Sequence, residues 1–195
     1  MNKNSLKDLK TDLSLRAKTG IDFIISAALL WFAIAYIWTL PFSAYDKSIL
    51  TFIVGSLMLP FAFLLSKFLD TEWKMDDNPL QPLGLWLNFA QLFYFPFLVF
   101  ILIKNPTYFV MVYVIITGAH FFPYAWYYNE KVFAIMAGLI SVTSMFFGLY
   151  LSSENMFIIP VFMGVALSIL AIRIFISYQK KMKAKQSLTK NLNKN

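Results

Sequence analysis

A single histidine, His120, lies in a row of polar side chains inside an otherwise apolar stretch. Tyr113, Thr117, His120 and Tyr124 follow one another at spacings of four, three and four. On a helix those spacings place all four on one face. The apolar stretch before them carries Asn88 and Gln91, one helical turn apart. Polar groups in hydrocarbon are costly and turn toward a protein interior, so these six residues are the candidate ligand-binding set. A histidine changes charge near neutral pH, so a site centred on His120 can couple the binding of a small molecule or ion to protons. The same residues also admit a reading without a ligand, in which His120, Gln91 and nearby backbone carbonyls satisfy one another and fix helix packing.

Enzymatic chemistry finds little support. One histidine and no cysteine in 195 residues cannot supply a zinc site without carboxylates, and no disulfide or thiol nucleophile is available. No G-x-S-x-G motif and no Gly-rich phosphate loop occurs. Ser141 or Ser144 with His120 would make a membrane hydrolase, but small hydroxyl residues in membrane helices are ordinarily packing groups. A lipid-acting enzyme would require a carboxylate from residues 70–77 to reach His120. No catalytic residue, metal or cofactor is expected.

The elements that must hold these residues are helices. Apolar stretches cover 21–41, 48–68, 85–103, 108–128, 132–151 and 156–178. Each matches the roughly 20 residues a helix needs to cross a bilayer. The chain is 59% hydrophobic and only 14% charged, against about 25% charged in soluble domains. The expected fold is therefore an all-α bundle of six transmembrane helices, multi-pass in the cell membrane. Residues 1–20 form an N-terminal interfacial segment, 21–178 the transmembrane domain and 179–195 a basic tail.

Charge sets the expected orientation. Residues 1–20 carry a net +3 and residues 179–195 a net +6, whereas residues 21–178 carry −2. With both ends in the cytoplasm, 15 of the 17 bases lie inside and only Lys47 and Lys104 outside. Basic ends beside membrane helices suit anionic lipid, and nucleic acid is not an expected partner. About twenty polar residues precede the first stretch, which is unlike a cleavable signal peptide. Leu6, Leu9 and Leu13 at helical spacing, with Ser5 and Asp8 as a capping box, predict an amphipathic helix over 5–18 on the inner leaflet. A frayed tail is the other reading.

Depth follows from a rise of 1.5 Å per residue: Gln91 lies roughly 9 Å and His120 roughly 12 Å from the inner end, so the polar groups gather in the cytoplasmic half. Asp22 and Arg173 mark the inner boundary, where Arg173 can snorkel toward Asp22 or toward lipid phosphate. Pro60, Pro96 and Pro123 fall within three consecutive stretches and free the carbonyls of Ser56, Leu92 and Ala119. Three such kinks predict a bundle that bulges around a cavity. The acidic segment 69–84 holds Asp70, Glu72, Asp76 and Asp77, but its spacing matches no cation loop and reads as a solvated turn.

The fifth stretch carries small residues four apart, Ala134 with Gly138, Ala137 with Ser141 and Ser144 with Gly148. Such rows let helices approach closely, within the bundle or in a homo-oligomer or membrane partner. Most tryptophans and tyrosines near the stretch ends match interfacial anchoring.

The run Gly118-Ala119-His120-Phe121-Phe122-Pro123-Tyr124, followed by Trp126 and Tyr128, resembles a signature of a family of small uncharacterised bacterial membrane proteins with six helices. Asn78-Pro79-Leu80 and the spacing from Gln91 to Pro96 share the resemblance. It spans most of the six-helix region, leaves out the basic ends and implies no activity. Two functions remain in view: a transporter-like or small-ligand-binding bundle with a polar cavity facing the cytoplasm, and a structural or accessory subunit without a ligand.

Overall fold

Ser5 starts the first helix as expected. Its hydroxyl donates to the Asp8 carboxylate at 2.6 Å and accepts the Asp8 amide at 3.2 Å, capping α1 (Leu6–Arg16). The computed structural model describes residues 5–192. Residues 1–4 of the N-terminal segment and 193–195 of the basic tail lie outside the described residues. Lys10, Leu13, Ser14 and Leu15 of α1 are buried, so the helix seats itself against the end of the bundle.

Lys18, Thr19 and Gly20 then take φ of 45°, 59° and 72°. A left-handed β-branched residue is strained. Thr19 is held there by its hydroxyl, 2.9 Å from that of Ser14. The Lys18 ammonium donates to the Leu69 carbonyl at 2.6 Å. This left-handed turn swings the chain from α1 into the first span.

Among the described residues, six helices are long and apolar enough to cross a membrane: Lys18–Thr39, Ala44–Leu69, Gln81–Lys104, Pro106–Tyr127, Val132–Tyr150 and Ser153–Ser187. Three of them are broken at the expected prolines. The second span divides into α3 (Ala44–Ser56) and α4 (Met58–Leu69), following α2 (Ile21–Thr39). The third divides into α5 (Gln81–Leu92) and α6 (Phe95–Lys104), and the fourth into α7 (Phe109–His120) and α8 (Phe122–Tyr127). Each proline is the second or third residue of the inner or outer half that follows the break. A proline has no N–H to return to the preceding turn, and its ring clashes with that turn's carbonyl. The upstream helix therefore ends early and tightens. The amides of Leu57, Tyr94 and Phe121 bond three residues back, to Val54, Gln91 and Gly118, each at 3.1 Å.

The remaining spans, α2, α9 (Val132–Tyr150) and α10 (Ile158–Leu192), build the core with α7. Ile34, Phe109, Ile140, Leu167, Leu170 and Ile174 are completely or almost completely buried there. Of the small-residue rows on α9, the one ending at Gly148 works inside the bundle against α7: a β-carbon at Gly148 would stand 1.9 Å from the Met111 sulfur. The second and third spans lie at the flank, with only 17% and 11% of their apolar windows buried, against 61% for the first.

The tail differs from a separate appendage. Residues 179–192 continue α10, which runs 35 residues without interruption. Lys181 on this extension pairs with Glu130 at 2.7 Å and donates to the Ser14 hydroxyl at 2.9 Å. The end of the sixth span and the N-terminal helix therefore meet at one end of the bundle.

Candidate functional site

The three breaks face one another across α2. The space they leave is a cavity of about 650 Å3. Its wall takes Gly55, Ser56, Met58 and Leu59 from the second span's break, Gln91, Leu92 and Phe95 from the third, and Thr117, His120 and Phe121 from the fourth. Lost backbone bonds at the prolines thus become the bulge in the bundle.

All six residues singled out for a ligand line this cavity: Asn88, Gln91, Tyr113, Thr117, His120 and Tyr124. Some satisfy one another. The Tyr124 hydroxyl donates to the Asn88 side-chain carbonyl at 3.1 Å, and the Asn88 amide donates to the Gly84 carbonyl at 3.1 Å. The Gln91 amide reaches the Thr117 hydroxyl at 3.4 Å. His120 stands apart from this exchange. Its ring meets Tyr124 edge to face at 5.1 Å, and it hydrogen-bonds to no described residue. The Tyr113 hydroxyl is likewise without a hydrogen bond to a described residue. Its ring is fixed among Trp31 at 5.3 Å, Phe109 at 6.0 Å and Phe95 at 6.1 Å. The cavity therefore has an aromatic region around Tyr113 and a polar region from Gln91 to Tyr124.

Asp22 belongs to the same wall. It is 1% exposed, and its carboxylate accepts from the Trp73 indole N–H at 2.6 Å and the Thr71 hydroxyl at 2.7 Å. Of the two partners expected for Arg173, Asp22 is not the one it meets: Arg173 is exposed on α10 and does not line the cavity. The first turn of α2 offsets part of the Asp22 charge through the helix dipole.

The four acids of the acidic segment are exposed, as a solvated turn requires, but two of them are tied to α1. Arg16 grips Glu72 through two bonds of 2.6 Å and Asp77 through a third of 2.6 Å. The Arg16 bonds hold the Glu72 carboxyl below its ordinary range, and Glu72 and then Asp77 raise the guanidinium. The Asn78 amide donates to the Leu9 carbonyl at 3.0 Å, and the Glu72 amide to the Arg16 carbonyl at 3.1 Å. Strapped this way, the loop carries Trp73 and Met75 into the cavity wall. Lys74 and Asp76 are the most open to solvent, each 80% exposed and paired at 3.2 Å. No group of three His, Asp or Glu side chains comes together among the described residues.

Part of the cavity wall is also exposed on the outside of the bundle. Leu59 on α4 and Leu85 and Leu92 on α5 line the cavity while remaining 61%, 55% and 50% exposed. All three lie within apolar spans. Sequence reasoning also passed over Trp73, Tyr127 and Tyr128 as interfacial residues. Trp73 stacks on Phe23 at 4.8 Å, and Tyr128 sets its hydroxyl 3.1 Å from where a β-carbon would stand on Gly20. The only available signal for Trp73 was a large apolar side chain in an otherwise acidic loop.

Six helices apolar enough to cross a bilayer, broken around a mixed polar and aromatic cavity, are the build of an all-α polytopic membrane protein. The chain belongs to DUF7010, a family of unknown function, whose model matches residues 6–177. No curated protein and no solved structure matches it.

Proposed function

We propose that this chain is a multi-pass protein of the cell membrane, with both termini in the cytoplasm, that binds a small molecule in the cavity at its broken spans in the manner of a transporter. One observation carries the reading: His120 and Tyr113 line a cavity of about 650 Å3 while hydrogen-bonding to no described residue. Residues that served packing alone would be expected to find partners in the protein. The volume lies inside the range of about 300–1,000 Å3 common to small-molecule sites. A bacterial source and affinity of the basic ends for anionic lipid belong to the same reading.

The test is a thermal-shift screen of purified protein, wild type beside His120→Ala, over metabolites, ions and pH 5–8. A ligand that raises the wild-type midpoint but not the variant's supports the cavity as a binding site. If no ligand acts, and the substitution lowers the midpoint equally at every pH, His120 is a packing residue and the reading fails.

A second reading, an accessory subunit or homo-oligomer joined through α9, draws on Gly138, around which a β-carbon would meet nothing within 4 Å. Ile135, Leu139 and Val142 are exposed beside it. Obligate co-purification with a larger membrane partner would favour that reading. Two of the four carboxylates that a lipid-acting enzyme could draw on, Glu72 and Asp77, are held by Arg16.

A further inference from the structure

Asp22 is a carboxylate in a cavity wall, 99% removed from solvent, and no described residue pairs it with a cation. Its bonds come from two neutral donors. The bases nearest that end of the bundle are engaged elsewhere. Arg16 holds Glu72 and Asp77, Lys18 holds the Leu69 carbonyl, Lys181 holds Glu130, and Lys10 lies over the Trp126 ring at 3.4 Å. A buried charge without a partner is expensive, and a ligand that brings the missing cation recovers that cost.

The surroundings of Asp22 add a second, independent indication. Trp73, Tyr124, Tyr127 and Tyr128 line the same part of the cavity, and aromatic faces attract cations most strongly when water is excluded. Farther along α2 the wall becomes apolar through Leu30, Ile34 and Phe52, and Leu59 of α4 and Leu85 and Leu92 of α5 line it while remaining exposed. Charge at one end and apolar surface at the other describe an amphipath.

We propose that the cavity takes a cationic amphipath, an organic cation or lipid amine, with its positive group at Asp22 among the aromatic side chains and its apolar part toward the leucines of α4 and α5. The inference rests on the cavity being a binding site and names the ligand class. Selectivity comes from one negative charge and several π-faces, so it tolerates many apolar shapes and rejects anions.

The test uses two probes of nearly the same shape and opposite charge, tetraphenylphosphonium and tetraphenylborate, in equilibrium dialysis against the full chain in phosphatidylglycerol nanodiscs, with empty nanodiscs subtracted. The expected result is saturable binding of the cation at least tenfold tighter than that of the anion, and a loss of at least tenfold in Asp22→Asn. The wild-type preference stands as a test by itself should Asp22→Asn fail to fold. Equal affinity for the two probes, no saturable binding of the cation, or an unchanged cation affinity in well-folded Asp22→Asn overturns the proposal. Equal binding of both probes that His120→Ala abolishes would overturn the cation and leave the cavity reading standing. Repeating the measurement with phosphatidylethanolamine present separates the sources. Competition marks a lipid amine as the occupant, and its absence marks a free organic cation; either supports the cationic site.

Discussion

The indole N–H of Trp73 donates to the Asp22 carboxylate at 2.6 Å, across 51 residues of chain. A loop side chain thereby completes the wall that α2 begins. Replacing it by phenylalanine keeps a ring to stack on Phe23 but removes the donor. Trp73→Phe is expected to lower stability by about 1–3 kcal/mol, the range for a hydrogen bond to a charged group. Denaturant titration in detergent reads the loss, and limited proteolysis should show faster cleavage between residues 70 and 80. An unchanged midpoint and cleavage rate would mean that the loop is held without this bond.

The strap beneath that loop carries a pH signature. Glu72 is held below its ordinary value of 4.5 by Arg16. A carboxyl lowered in the folded state contributes stability in full above its unfolded value, and that contribution fades as pH falls through the folded value. Arg16 is raised, so its own contribution is already complete at any working pH. Loop protection is therefore expected to weaken below about pH 4.5 in the wild type and to weaken less steeply in Glu72→Gln, where Arg16 still holds Asp77. The Glu72 side chain is 46% exposed, so solvent and salt limit the effect to about 1 kcal/mol or less. Proteolysis of the loop across pH 3–7, at low and high salt, measures both dependences.

Gly55 and Tyr113 offer a test of the cavity's aromatic end. A β-carbon on Gly55 would stand 2.7 Å from the Tyr113 hydroxyl, yet 3.6 Å from the nearest ring carbons. Tyr113 has little room to retreat, because Trp31 and Phe109 hold its ring. Gly55→Ala is expected to destabilise by about 1–3 kcal/mol, as overpacking does. Adding Tyr113→Phe removes the clashing oxygen and should restore most of the loss, so the double variant is more stable than Gly55→Ala alone. Thermal midpoints of the four proteins close the cycle, and purely additive effects would refute the contact.

Local physics made much of this legible in the sequence. Hydropathy alone placed six helices, because a bilayer demands a long apolar run for each. Pro60, Pro96 and Pro123 located the breaks, since the missing N–H and the ring clash act within one turn. Asn88, Gln91, Tyr113, Thr117, His120 and Tyr124 share one cavity because polar groups in apolar helices turn inward. What escaped was set by distant partners. Arg16 and Glu72 are 56 residues apart, and Thr71 and Asp22 are 49 apart. No spacing rule links such pairs.

Glu130 and Lys181 tie the loop after the fourth span to the extension of the sixth. The pair is 2.7 Å apart with side chains 12% and 23% exposed, and the Ser177 hydroxyl also donates to Glu130. Lys181 further donates to the Ser14 hydroxyl and the Tyr128 carbonyl. Three segments of the chain, α1, the loop at 128–130 and α10, therefore meet at one ammonium. Lys181→Met leaves Glu130 largely shielded from water with only a hydroxyl partner, and a shielded charge that loses its counterion is costly. The expected loss is about 2–4 kcal/mol. In Lys181→Met with Glu130→Gln no bare charge remains, so the double variant should recover part of that loss. Denaturation midpoints of the two single variants and the double give the coupling, and a double variant as unstable as the sum of the singles would show that the pair does not act as one unit.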